Sequence, residues 1–155
     1  MDREKVEFAK TSIEKSSDFK NDSLIEFVIL WIGLNALYND NEGQEYEKFY
    51  RYISANEHLV KVVLSKEKAE LKSIVDFVNQ THQHSRIREF IATRRAFLNP
   101  EGKDSTEHFA QFVYKIRNNM FHSEKPWNQA DEAKLLEMVN PIIRRLISLS
   151  VEKLV

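Results

Sequence analysis

The residues best suited to chemistry lie in the last third of the chain, in Arg117-Asn118-Asn119-Met120-Phe121-His122. Arginine holds a phosphate through paired hydrogen bonds and keeps its charge at any relevant pH. Histidine gains or loses a proton near neutrality, and a helix C-terminus favours its charged form. Five residues on an α-helix correspond to about 140° of rotation. The two side chains would therefore flank a groove, and a complete site calls for a second copy of the pair from another subunit. Taken alone the segment is an ordinary helix end, and Arg51 with His58 forms a looser pair of the same kind. Two features set it apart. Asn118 and Asn119 place two amides directly after the Arg, and Ser123-Glu124-Lys125-Pro126 ends the helix just after the His.

Other routes to catalysis are missing from the sequence. It has no phosphate-binding Gly-rich loop, no Gly-x-Ser-x-Gly elbow and no His-Glu-x-x-His helix. His82 and His84, two residues apart, would fall on different helix faces and have no carboxylate cluster beside them. They read as solvated loop histidines, so no metal and no cofactor are expected. With no Cys, disulfides, thiolate nucleophiles and Cys-ligated zinc are excluded, which fits a reducing cytoplasm. The charge is balanced, Lys plus Arg 23 against Asp plus Glu 24, so phosphate binding needs a local patch. One basic stretch exists between His82 and Arg95: Arg86, Arg88, Arg94 and Arg95 against Glu89 give +3, the histidines uncounted. Such a run is ordinarily a solvated helix face, but two copies beside a cleft would form a phosphate-binding rim. Arg144 and Arg145 are weaker candidates for the same role.

These residues must be positioned by helices. The 155 residues contain three Gly and three Pro, with 42% hydrophobic and 30% charged residues, a composition for one globular all-α domain over 1–155. The periodicity predicts a helical bundle of about six or seven helices. Val6, Ala9 and Ile13 mark a first helix that frays at Ser16-Ser17-Asp18. Ser23 and Glu26 are spaced as a capping box for an apolar helix carrying Leu24, Phe27, Val28, Trp31, Leu34 and Tyr38. At 15 residues, Leu24 to Tyr38 is too short to span a bilayer, and the charged start Met1-Asp2-Arg3-Glu4-Lys5 lacks the apolar core of a signal peptide. No membrane association is expected. Trp31, Asn35 and Tyr38 read as core residues, Asn35 as a hydrogen-bonded buried amide.

Tyr46, Phe49, Tyr50 and Ile53 predict a short aromatic helix, and Leu71, Ile74, Val75 and Val78 another. The valine-rich stretch between them, Leu59 to Leu64, could form a short strand, but its neighbours favour an interrupted helix. Ile87, Phe90, Ile91 and Leu98 form the next face. Phe109, Phe112, Val113, Ile116 and Met120 build the helix that bears Arg117, capped from Asp104 to Glu107. Asn128 caps the closing helix, which Pro141 should kink near Glu137.

The segment Arg117 to His122 resembles the Arg-x4–6-His motif of HEPN domains, in which a polar residue usually follows the Arg. Trp31-Ile32-Gly33-Leu34-Asn35-Ala36-Leu37-Tyr38 is similar to the first core helix of the Apea-like HEPN branch. This resemblance implies a helical bundle that dimerises with two motifs facing across a composite cleft. It also implies metal-independent RNA cleavage. His122 would then act as general acid or base, Arg117 would bind the scissile phosphate, and Asn118 would orient one of them. The ribose 2′-OH would attack, leaving a 2′,3′-cyclic phosphate and a 5′-OH end. The expected partners are RNA, a second copy of the chain and, for a toxin or defence effector, an antitoxin protein. Glu124 stands where antitoxin-paired relatives often carry Tyr, so regulation through that Tyr is not expected. Two other readings stay open. One is a non-catalytic HEPN module binding RNA, a nucleotide or a protein, and the other a helical interaction domain with an accidental motif.

Overall fold

A computed structural model describes residues 3–40, 42–80, 85–121 and 129–154, with backbone alone for 85, 86, 129–131 and 154. His82, His84, His122 and Asn128 lie outside the described residues. Eight α-helices follow one another: α1 (Arg3–Ser16), α2 (Ser23–Tyr38), α3 (Glu45–Ala55), α4 (Glu57–Lys66), α5 (Lys68–Gln80), α6 (Ser85–Thr93), α7 (Ser105–Phe121) and α8 (Gln129–Leu154). Short 3-10 turns at Ser17–Phe19 and Ala96–Leu98 complete the described structure, which contains no strand. The molecule is an all-α helical bundle.

The count exceeds the expected six or seven because the valine-rich stretch is a helix of its own, α4. Val60, Val63 and Leu64 are fully buried, and α4 packs on α7 and α8. Burial on a helix face outweighs the strand preference of valine here. Asn56 makes the break before α4, its side-chain amide donating to the Tyr52 carbonyl at 2.8 Å.

At the centre, α2 packs on α1, α3 and α8. Phe27, Leu30, Trp31, Leu34, Leu37 and Tyr38 are buried, whereas Ile25 and Ile32 are exposed. The capping box expected from Ser23 and Glu26 does not form. Asp22 is the cap, its carboxylate accepting from the Ile25 N–H at 3.2 Å. Glu26 is buried instead and pairs with Arg144 of α8 at 3.2 Å.

Arg144 and Arg145, weaker candidates for phosphate, are engaged as ties within the fold. Arg144 also donates to the Ile13 carbonyl at 3.2 Å, and Arg145 reaches Glu67 at 2.5 Å. Glu67 lies at the α4–α5 junction, so two successive arginines of α8 tie this helix to α2 and to that junction. Buried Asn140 adds a third tie by donating to the Ser23 carbonyl at 3.0 Å. Leu135, Val139, Ile142, Leu146 and Ser150 line the inner face of α8, as their spacing predicts. Pro141 is exposed and lies within a helix that is continuous from Gln129 to Leu154.

The close approach of α1 and α2 depends on Gly33. A Cβ there would lie 2.6 Å from the Cβ of Ser12, inside any tolerable contact. Gly33→Ala should therefore push α1 outward and destabilise the fold by about 1–3 kcal/mol, the usual range for overpacking. Urea unfolding would measure the loss. In the Ser12→Gly background the same substitution should cost clearly less, because the opposing atom is gone.

Candidate functional site

Arg117 occupies the penultimate turn of α7, where an aromatic cluster sets its position. Trp31 of α2 is the hub, with ring centres 6.0 Å from Phe27, 5.5 Å from Phe49 and 6.4 Å from Tyr114. Phe49 stacks on Tyr114 at 5.8 Å, and Phe27 meets Phe121 at 6.0 Å. These rings join α2, α3 and α7. Such contacts add about 0.5–1.5 kcal/mol each beyond area burial. The Trp31 indole N–H is buried and finds no acceptor among the described residues, so packing alone orients the ring.

The Arg117 guanidinium rests between two rings, 5.4 Å from the Tyr114 centre and 5.2 Å from that of Phe121. Its Nη1 donates to Asn118 Oδ1 at 3.0 Å, and Nη2 lies 3.9 Å from Glu45 Oε1. The side chain is 19% exposed, enough for an anion to reach a cation that protein groups already orient.

Glu45, the first residue of α3, has no mark in the sequence beyond being an acid at a helix start, which the dipole favours. Three-dimensionally it is a junction. Its Oε1 accepts from the Tyr38 hydroxyl at 2.6 Å and from Asn35 Nδ2 at 3.1 Å. Asn35 is thus half-buried and tied to the surroundings of Arg117, which corrects its reading as an amide serving the core alone. The loop before α3 fixes this junction. Asp40 accepts the Glu42 N–H at 3.0 Å and pairs with Arg51 at 2.7 Å, which together hold its carboxyl below the usual range. Gly43 turns the chain at φ +90°, a region that favours glycine. Arg51 is thereby engaged with Asp40, and the loose Arg51–His58 pair has no counterpart as a site.

The basic stretch divides. Arg94 is exposed, packs 4.9 Å above the Phe90 ring and lines an open groove of about 410 Å³ with Tyr46, Gln111, Tyr114, Lys115 and Asn118. The groove therefore shares Asn118 with the Arg117 segment. Arg95 is exposed beside the 3-10 turn, Arg88 is half-buried in α6, and the Arg86 side chain is outside the described set. Of the three arginines whose side chains are described, Arg94 is the one that lines this groove. Lys115, which the sequence reading passed over, joins it because it follows Gln111 by one helical turn.

Proton transfer at this end of α7 would fall to His122, which lies outside the described residues. His108, one of the described histidines, uses Nδ1 to accept the Ala96 N–H at 3.1 Å. Among the described residues no group of three His, Asp or Glu side chains gathers as metal ligands, and no helix is long and apolar enough to cross a membrane. What the arrangement offers chemically is a positioned cation, flanking amides and a groove of rings and cations.

The phenols around Arg117 respond to alkali. Burial raises the Tyr38 pKa, and the Glu45 carboxylate that accepts its proton raises it further. Burial also raises Tyr46, Tyr52 and Tyr114. The folded state thus holds these protons more tightly than the unfolded chain, whose phenols titrate near 10. The resulting stability is fully present below about pH 10 and falls as the pH rises above it. Urea midpoints measured across that range should decline, and Tyr38→Phe should flatten the decline. An unchanged slope in Tyr38→Phe would show that Tyr38 is not the main contributor.

Set against protein-family models, curated proteins and solved structures, the chain matches none of them.

Proposed function

We propose that this chain is a metal-independent endoribonuclease of the HEPN type. The observation that carries the reading is the environment of Arg117. A cation one turn from the described end of α7 is held by Asn118, Glu45 and two aromatic rings, and it adjoins a groove with further cations.

In this mechanism the 2′-oxygen of the ribose loses its proton to a base and attacks the adjacent phosphorus. The P–O5′ bond breaks, and an acid protonates the departing 5′-oxygen. The products are a 2′,3′-cyclic phosphate and a 5′-OH end. Arg117 neutralises the charge that builds on the non-bridging oxygens, the step where a preorganised donor acts most strongly. His122 supplies the proton transfers, within one chain or from a second copy across a dimer. A dimer is the form this reading expects. Its support is the exposed pair Ile25 and Ile32, which on the α2 helical wheel lies next to Asn35 and so on the side of the Glu45 junction. A toxin or defence effector held by an antitoxin protein in the cytoplasm is the physiological setting that accompanies it.

Purified protein incubated with single-stranded RNA in EDTA should generate new 5′-OH and cyclic-phosphate ends. Arg117→Ala and His122→Ala should each slow this by about 10²-fold or more. Cleavage unchanged in both variants would overturn the site. RNA retained without new ends would point to a binding module.

A further inference from the structure

The groove beside Arg117 has features that phosphate binding alone does not call for. Gln111, Tyr114, Lys115 and Asn118 recur at three- and four-residue steps and form one row on α7, while Tyr46 comes from α3 and Phe90 and Arg94 from α6. Tyr46 and Tyr114 meet at 5.0 Å with their planes 59° apart. Both rings are half-buried and line the groove. Tyr114 is already stacked on Phe49 and carries Arg117 over its ring, which leaves Tyr46 as the ring to meet a base. Charge runs along the row. Glu107, whose carboxylate takes the Gln111 amide at 3.5 Å, is at its start. Lys115 comes one turn after Gln111, with Arg94 across the groove, while Arg117 reaches Asn118 from a neighbouring face of α7.

We propose that this groove binds one unpaired nucleotide, its base stacked on Tyr46 and its phosphate held by Arg94 and Lys115. Ring faces accept any base, and stacking on tyrosine with nearby cations is how proteins hold single strands. The volume of about 410 Å³ is within the usual range for a small-ligand site. A duplex keeps its base faces stacked on each other and offers none to Tyr46. The charge gradient orients the nucleotide with its phosphate toward Asn118 and Arg117 and its base toward Gln111. A strand held this way delivers its next phosphodiester to Arg117. The proposal rests on the ribonuclease reading for its substrate, RNA, and a free nucleotide carries the same base and phosphate.

The test uses full-length His122→Ala protein, so that RNA survives, and fluorescence anisotropy with a labelled single strand of about eight nucleotides. The same RNA as a duplex and free adenosine monophosphate serve as competitors. Tyr46→Leu should weaken binding about tenfold, and Tyr46→Phe, which keeps the ring, should bind as the parent does. Arg94→Gln and Lys115→Gln should each weaken it several-fold and reduce the salt slope by about 0.7. Should Tyr46→Leu fail to fold, the two charge variants and Tyr46→Phe still decide. Unchanged affinity in both charge variants, or a duplex competing as well as the single strand, would overturn the proposal. Adenosine monophosphate competing as well as the oligonucleotide would support the nucleotide site with a free nucleotide as its occupant. RNA cleavage by the native protein with an unchanged KM in Arg94→Gln and Tyr46→Leu would overturn the groove and leave the nuclease. RNA bound through these residues yet never cut by the native protein would support the groove and overturn the nuclease.

Discussion

The contact on which most of this structure depends is the packing of rings around Trp31. An indole in the middle of α2 touches Phe27, Phe49 and Tyr114, and so draws three helices together at one point. Its N–H has no partner among the described residues, which means shape and area hold it where it is. Because Tyr114 also carries the Arg117 guanidinium on its face, the ring that closes the core is the ring that aims the cation. Stability and site geometry are therefore coupled through a single side chain. A change that loosens the rings would also displace the charge.

Around that apolar centre, each buried charge is met by a partner from a distant part of the chain. Arg144 reaches Glu26 and the Ile13 carbonyl, and Arg145 reaches Glu67. Burying an ion without a partner is costly, so these pairs fix the placement of α8 as much as they add stability. At the other end of α2, Glu45 has the corresponding place beside Arg117, but with an important difference. Its side chain is 42% exposed and its distance to Arg117 is 3.9 Å, a loose pairing open to water. The ties on α8 are close contacts, whereas the one beside Arg117 is longer and its carboxylate more exposed.

The helices themselves were legible in the sequence because burial follows a 3.6-residue period. The inner face of α8 and the faces of α5 and α7 appear where the spacing of apolar residues puts them. One local reading failed, and another stayed open between two outcomes until packing settled it. Ser23 and Glu26 have the spacing of a capping box, but Asp22 takes the cap and a distant arginine takes the glutamate. Leu59 to Leu64 is locally ambiguous, and packing on α7 and α8 decides it in favour of helix. In both cases a partner far along the chain outcompetes the neighbour that a local pattern considers.

The sequence by itself determined the all-α class, the sides of the helices that turn inward, and Arg117 followed by an amide near a helix end. These depend on residue type and short-range spacing, which a linear reading contains in full. Only the tertiary structure decided that Glu45 and Asn35 stand with Arg117, since about half of the chain separates them from it. It likewise decided that Arg94 lines the groove by Asn118, and that Arg144 and Arg145 are bound into ion pairs. A charge has no fixed meaning until its surroundings are known. Whether it is a tie, a solvated surface or a site depends on the groups within a few ångströms, and folding is what brings them there.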